Sequence, residues 1–515
     1  MRRIIPYCIG LFFWLPGKLT AQRVIYSETL NNRSSIRFQV IGKSGDYYWV
    51  EKLQKQKTTY RRSTENKFEI QSFGLMDARL NLVSERIPQI IPGTLKQWLV
   101  CGEKSLDQIT VTVEPGKTRI ICNRYLTDME TGSKLVDSLP YSADASCLLM
   151  VRSADRSKNL IVAFDNSDTS FTKMHAILFD ANWNPIYHEV ISREILAQPC
   201  IQDEEIGFPA ESFDNLPIKL ANNGEWLMVS PSGISQHFSI FHACPNGSDY
   251  YFREVKLSPF YKMEDVAMSI NNEREEMSVG LLSGYKGTSL KNVQVFNYSM
   301  NQGKFDFDSS YHFNTQARAL NAKNLSHESF ISVAGGGYMY LKEYGQSYEF
   351  KKPEIPFMNN LETAYMLANY NDANSAEEKT KPGYTLNRGL SPIPIVRNRG
   401  DLNMFYFPAI TRDSTWSGVL EMEQHAETNN PDLSYLFVPT GNKLYVVYNS
   451  MEGYADPLAT TTTLNKGGQL VDDALIFWSM NKKLNFQKSR RFAENEVAVP
   501  YLGTVESGFA IIRLQ

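Results

Sequence analysis

The stretch FDANWNPIY, Phe179 to Tyr187, decides how the rest of this chain is read. An apolar strand end runs into Asp180, Asn182, Asn184 and Pro185, and the chain then restarts on Ile186 and Tyr187. Asp and Asn side chains bond nearby backbone groups in tight turns, so the stretch predicts strand, turn, strand. The same unit recurs as FGLMDARLNLV from Phe73, YLTDMETGSKLV from Tyr125, FHACPNGSDYY from Phe241, FNYSMNQGKF from Phe296 and FWSMNKKLNF from Phe477. Turns are placed at Ala78, Thr131, Asn182, Asn246, Gln302 and Asn481. The first five are spaced by roughly fifty to sixty-five residues, and the sixth follows a gap about three times as long. A propeller blade of four short strands occupies about 40–50 residues. The spacing predicts an all-β fold, a β-propeller of seven blades, with six or eight also admitted.

Working outward, almost every periodic segment reads as strand. Arg37 to Ile41, Tyr47 to Val50, Ile109 to Val113, Thr118 to Cys122, Leu160 to Phe164, Leu433 to Val438, Leu444 to Tyr448 and Ala474 to Trp478 are short and rich in Val, Ile, Phe or Tyr. Most are bounded by turn residues. Few stretches hold the spacing of an amphipathic helix. At 515 residues, the chain is too long for one ordinary core, but a repeat array escapes that limit because each unit packs only on its neighbours. One region breaks the rhythm. Met358 to Asp401 is rich in Asn, Pro, Gly and charge, with one short helical piece at Leu361 to Leu367, and reads as a long inserted loop. Loops tolerate such length at little closure cost. If the insertion stands apart from the blades the count is seven; if it belongs to a blade the count is eight. Gly335-Gly336-Gly337 reads as a hairpin turn.

The N-terminus predicts export. Arg2 and Arg3 precede an apolar run, Ile4 to Leu15, followed by Pro16-Gly17 and then Leu19-Thr20-Ala21 before Gln22. That is the layout of a cleavable signal peptide, residues 1–21, leaving a single propeller domain over 22–515 with the inserted loop 358–401. No later run approaches the ~18 apolar residues of a membrane helix. The protein is therefore expected in a secreted, periplasmic or cell-envelope location.

FDANWNPIY, FWSMNKKLNF and LYVVYNS, Leu444 to Ser450, resemble the large, mostly uncharacterised secreted β-propeller proteins of Bacteroidetes-type bacteria. The resemblance covers most of the chain and rests on turns and strands. It implies the fold and an envelope or secreted location, and it supplies no catalytic residue.

The chemistry-bearing residues give no constellation. A net charge of −3 provides no basic surplus for nucleic acid. Cleavage leaves Cys101, Cys122, Cys147, Cys200 and Cys244, an odd number without C-x-x-C spacing. Cys101 and Cys122, each ending a strand-like run, are a candidate cross-strand disulfide, against the alternative of buried thiols. The histidines, His175, His188, His237, His242, His312, His327 and His425, form no helical ligand pair. His237 and His242 fall on opposite faces if their run is one strand, and further zinc ligands are not identifiable from spacing. Asp180 to Asn184 begins like a calcium loop, but Pro185 stands where glycine belongs and Ile191 where glutamate belongs. Thr411 to Trp416 resembles the Asp-box turn of sialidase-type propellers, without its glycine and only once. Asp203, Glu204, Glu205, Glu211 and Asp214 form an acidic run, for which a solvated loop is the default over paired carboxylates of glycoside hydrolysis. No Gly-x-Ser-x-Gly elbow occurs. No catalytic residue, cofactor or metal ligand is assigned. The expected function is a non-catalytic propeller binding a protein or glycan partner. The rival is a hydrolytic propeller whose acidic residues converge from separate blades.

Overall fold

The computed structural model describes the strands and most tight turns between Arg23 and Leu514. Residues 1–22, 142–147, 166–172, 193–217, 313–327, 349–395, 409–415, 428–434 and 451–457, with shorter stretches between strands, lie outside that description. The described residues form strands numbered β1 to β34 along the chain, all in antiparallel sheets. Seven four-strand meanders follow one another: residues 36–86, 94–139, 148–192, 218–256, 261–312, 328–420 and 435–477, blades 1 to 7. The sixth carries an extra short strand, Gln424–Glu427. Blade 8 is built from both ends of the chain. Strand β34 (Ser507–Arg513) pairs β33 (Glu496–Leu502) on one side and β1 (Arg23–Tyr26) on the other, with Arg23 opposite Arg513. The first strands of blades 1 and 2, 3 and 4, 4 and 5, and 5 and 6 touch, and an apolar cluster joins each neighbouring pair, blade 8 to blade 1 included, so the sheets close into an eight-bladed ring.

The count is eight, the alternative admitted if the long irregular region belongs to a blade, rather than the favoured seven, and the reason is local. Ala78, Asn182 and Gln302 fall in the third-to-fourth turns of blades 1, 3 and 5, and Thr131 lies just inside the fourth strand of blade 2, while Asn246 lies outside the described residues. Asn481 lies outside the described residues, beyond β30 (Leu470–Phe477), the last strand of blade 7. The equivalent turn of blade 7 is Asn465 to Gln469, where the Asn465 carbonyl accepts from the Gly468 N–H at 3.0 Å. The long irregular region belongs to a blade, running between β23 (Gly337–Tyr348) and β24 (Val396–Pro408) of blade 6. Its last residues, Val396 to Asp401, are strand rather than loop, paired with β23 and with Gln424–Glu427.

Each blade must bury both faces of its middle strands, because it stands between two others. This explains the continuous apolar runs such as Leu160 to Phe164. In β11 (Lys158–Asp165), Leu160 and Val162 pack toward blade 4 against Trp226, Met228 and Phe241, while Ile161 and Ala163 pack toward blade 2 against Ile109 and Ile120. Side chains two apart share a face, so one strand feeds two seams. The described core is accordingly divided into eight apolar clusters, one between each pair of neighbouring blades. Outer strands carry the exposed aliphatics, among them Leu82, Val83, Leu135, Ile186, Val190, Val419 and Val471.

Polar staples join the seams. Asp107, buried in blade 2, accepts from Arg124 at 2.8 and 3.0 Å and from the indole N–H of Trp183 in blade 3 at 3.0 Å. At the ring closure, Glu496 of blade 8 accepts from Lys43 at 2.8 Å, Tyr48 at 3.0 Å and Arg513 at 3.0 Å.

The recurrent turn has a definite mechanism. Asp180 accepts backbone N–H bonds from Asn182 and Asn184, each 2.8 Å, and the Asn184 side-chain amide closes on its other oxygen at 2.8 Å. Asp77 repeats this with Arg79 and Asn81. The fourth turn residue is left-handed in both, Leu80 at φ 66° and Trp183 at φ 61°. These carboxylates bond turn backbone, as the turn reading of Asp180 to Asn184 requires. Strand direction alternates within each blade, so first-to-second and third-to-fourth turns emerge on one face of the ring. Second-to-third and blade-to-blade connections emerge on the other.

Candidate functional site

Blades 4 and 5 bring together titratable groups that lie apart in sequence. In blade 4, β15 (Trp226–Pro231) pairs β16 (His237–Ala243) with Leu227 opposite His242 and Trp226 opposite Ala243. Glu225 and Cys244 each lie one residue beyond that paired stretch. Side chains two apart on a strand share a face, so Ile240 and His242 look the same way, toward blade 5. There Leu227, Val229 and Ile240 join Val279, Leu281 and Tyr298 in the seam. The apolar stack ends at the turn face, and the cluster sits at that end.

His242 is fully buried, and each ring nitrogen has a partner. Nε2 lies 3.2 Å from the Glu225 carboxylate and Nδ1 lies 3.2 Å from the Tyr298 hydroxyl. Tyr251 flanks the imidazole at 5.5 Å between ring centroids, and Tyr298 meets it edge-on at 5.6 Å. Burial holds the Tyr298 phenol well above its ordinary pKa, so it remains protonated. The Cys244 thiol completes the group: one ligand atom each from Glu225, His242 and Cys244 all lie within 4.8 Å of one another. The turn that carries Glu225 also walls a cleft of about 280 Å³, lined by Ala221, Asn222, Asn223, Asn272, Glu275 and Met300. Carboxylate, imidazole and thiol in this arrangement can share a proton or hold a cation.

A second polar chain crosses the seam of blades 2 and 3. His175 Nδ1 is 3.1 Å from His188 Nε2, and His188 Nδ1 is 3.3 Å from Asp137. Burial pushes the Asp137 carboxyl up, but bonds from His188 and the Ser138 N–H outweigh it and leave the group below its ordinary range. Tyr141 packs on His175 at 5.1 Å.

The cysteine expectation is corrected. Cys101, Cys122 and Cys244 carry thiols. Cys101 is on β6 (Thr94–Cys101) and Cys122 on β8 (Lys117–Leu126), with β7 (Ser105–Glu114) between them. Cys101 faces blade 1 and Cys122 faces blade 3, so the two sulfurs lie on opposite sides of one sheet. Burial raises both thiol pKa values, that of Cys122 to about 12. His237 and His242 do share a single strand, five residues apart. Gly337 opens β23 and pairs with Val333, as a hairpin demands. Cys147, Cys200, His327, the acidic run 203–214 and most of Thr411 to Trp416 lie outside the described residues.

No family model matches this chain, and no curated protein matches it. Solved structures do resemble it. The propeller of Dos1 matches at 8% identity and a TM-score of 0.43 over 95% of each chain. Polysaccharide lyase Uly1 matches at 8% identity and a TM-score of 0.37 over 96% of this chain and 99% of its own. Prolyl endopeptidases match at 8% identity and a TM-score of 0.36 over 92% of this chain and 46% of theirs. The blade count rests on the strand pairing. Among the described residues, no helix is long and apolar enough to cross a membrane.

Proposed function

We propose that this protein is an exported, non-catalytic propeller that binds a protein or glycan partner on the face carrying its long connections. The observation behind this reading is topological. Strand alternation sends the spans after blades 3 and 5 and the span between β23 and β24 to one face of a closed ring. A rigid scaffold displaying variable connections is a common basis for recognition. The buried carboxylates support the same reading: among the described residues, Asp107 and Glu496 are engaged in bonds that hold the blades. Export is supported by the N-terminal pattern. Cleavage before Gln22 leaves β1 close to the start of the mature chain, where it pairs with β34.

The test pairs two measurements on the mature chain. Binding is surveyed on a polysaccharide panel and by crosslinking to envelope proteins, and then repeated on a variant lacking residues 358–395. The variant is expected to unfold cooperatively near the parent temperature and to lose binding. Full binding by the variant would remove the loop face from the proposal, and turnover of a panel polysaccharide by the parent would replace binding with catalysis.

A further inference from the structure

We propose that Glu225, His242 and Cys244 form a binding site for one divalent transition-metal ion of the zinc class, with a fourth coordination position left for water or a ligand. Zinc takes carboxylate oxygen, imidazole nitrogen and thiolate sulfur in tetrahedral geometry, at about 2.0–2.2 Å for oxygen and nitrogen and about 2.3 Å for sulfur. In a tetrahedron with such bonds, the oxygen and nitrogen stand about 3.3 Å apart. Glu225 Oε2 and His242 Nε2 are 3.2 Å apart. The third ligand atom is within 4.8 Å of both, and the site requires the Cys244 side chain to turn toward them.

Three further features fit a metal. His242 lies on β16, and Glu225 and Cys244 each lie one residue beyond the paired stretch of β15 and β16, so the sheet brings the three backbones together before any ion arrives and only the Cys244 side chain has to turn. The second nitrogen of His242 faces the Tyr298 hydroxyl at 3.2 Å, the outer partner that a ligating histidine uses to fix its tautomer. Charge also balances, because one carboxylate and one thiolate offset a dication in a site where His242 is fully buried. On binding, the Cys244 thiol gives up its proton to solvent and its sulfur bonds the metal. Imidazole tautomerises so that Nε2 presents its lone pair and Nδ1–H donates to Tyr298. One proton is released per ion, and no electron moves. Soft sulfur with imidazole favours zinc or cobalt(II) over calcium or magnesium.

The experiment uses the full mature chain, stripped with a chelator and titrated with cobalt(II). Wild-type protein is expected to bind one equivalent with a thiolate-to-cobalt charge-transfer band, and zinc is expected to displace it. Cys244→Ser is expected to lose the band, and Glu225→Gln to weaken binding at least tenfold. His242→Ala is expected to bind no cobalt at this site. Because His242 is buried and its replacement can unfold the blade, the Cys244 and Glu225 variants decide the matter. Zinc is also expected to raise the wild-type unfolding temperature and to leave that of Cys244→Ser unchanged. Absence of the band in wild type overturns the site. So does a band of equal strength in Cys244→Ser, or equal affinity in wild type and Glu225→Gln.

Discussion

Gly42→Ala places a methyl group where blade 2 already stands. A Cβ built at Gly42 falls 2.3 Å from the Cys101 Cβ and 2.7 Å from its sulfur. Carbon atoms in contact sit about 3.5–4.0 Å apart, so one strand must retreat by more than an ångström. Neither has room. Gly42 lies in β2 (Ile36–Ser44) at a register shift against β3 (Tyr47–Tyr60), and Cys101 is buried with Ile41, Trp49, Phe73 and Leu106. Overpacking costs about 1–3 kcal/mol and occasionally more. A clash with a Cβ, which no rotamer change can move, belongs at the top of that range, near ~3 kcal/mol. Cys101→Gly alone removes a buried side chain and should cost about 2 kcal/mol. In the Gly42→Ala background the same change relieves the clash and should stabilise, while Cys101→Ala, which keeps the Cβ, should rescue little. Urea unfolding followed by tryptophan fluorescence reads all four variants, with Trp49 at the seam as reporter. A Gly42→Ala midpoint equal to wild type would refute the packing argument, as would equal destabilisation by Cys101→Gly in both backgrounds.

Glu496→Gln should destabilise by about 2 kcal/mol, less than a fully buried pair because Lys43 and Arg513 are partly exposed; chemical denaturation measures it. Burial pushes the Glu496 carboxyl up, but Lys43, Tyr48 and Arg513 outweigh it and hold its pKa below the ordinary value. Its stabilisation is thus full above about pH 4.3 and lost as pH falls through the folded value, so wild type should lose more stability than Glu496→Gln on acidification; parallel loss in the two refutes the linkage. Asp107→Ala removes the carboxylate that Arg124 and the Trp183 N–H share and should cost about 3 kcal/mol by urea unfolding. Timed alkylation with mass mapping should modify Cys244 before Cys101 and Cys122, whose thiols are buried and raised in pKa. Faster labelling of Cys122 would place the blade 2–3 seam elsewhere.

Fold class was readable because propeller blades repeat a short-range signal. An aspartate or asparagine that bonds its own turn backbone is visible in one dimension, as at Asp77 and Asp180, and the turns read at Ala78, Asn182 and Gln302 are true equivalents among the described residues. Blade 7 was missed because its turn, Asn465 to Gln469, is closed by the same kind of bond, with Asn465 Oδ1 accepting from the Gln469 N–H at 3.0 Å, but it follows Leu464 rather than an aromatic strand end. Strand closure between Arg23 and Arg513 leaves no local trace, since chain ends carry no pairing signal. The Glu225, His242 and Cys244 cluster was half legible. His242 and Cys244 stand two apart in sequence, but Glu225 joins only through the β15–β16 register, which no spacing rule supplies. The Cys101–Cys122 pairing failed for the same reason: strand ends were visible, but the strand between them and the face each cysteine takes were not.

The pairing of β1 with β34 joins the first described strand of this chain to the last. During synthesis Arg23 to Tyr26 emerge long before their partner exists, so the outer edge of blade 8 and the seam to blade 1 wait for the complete chain. The seven internal meanders can form as they appear, each from neighbouring sequence, while closure is a single late event of the longest range the chain permits. Contacts of such range are slow to form. Those absent from the folding transition state contribute chiefly to slow unfolding. A chain cut short near its C-terminus is therefore not a propeller with one weak blade but an open arc with two bare apolar faces, prone to join its neighbour instead of itself.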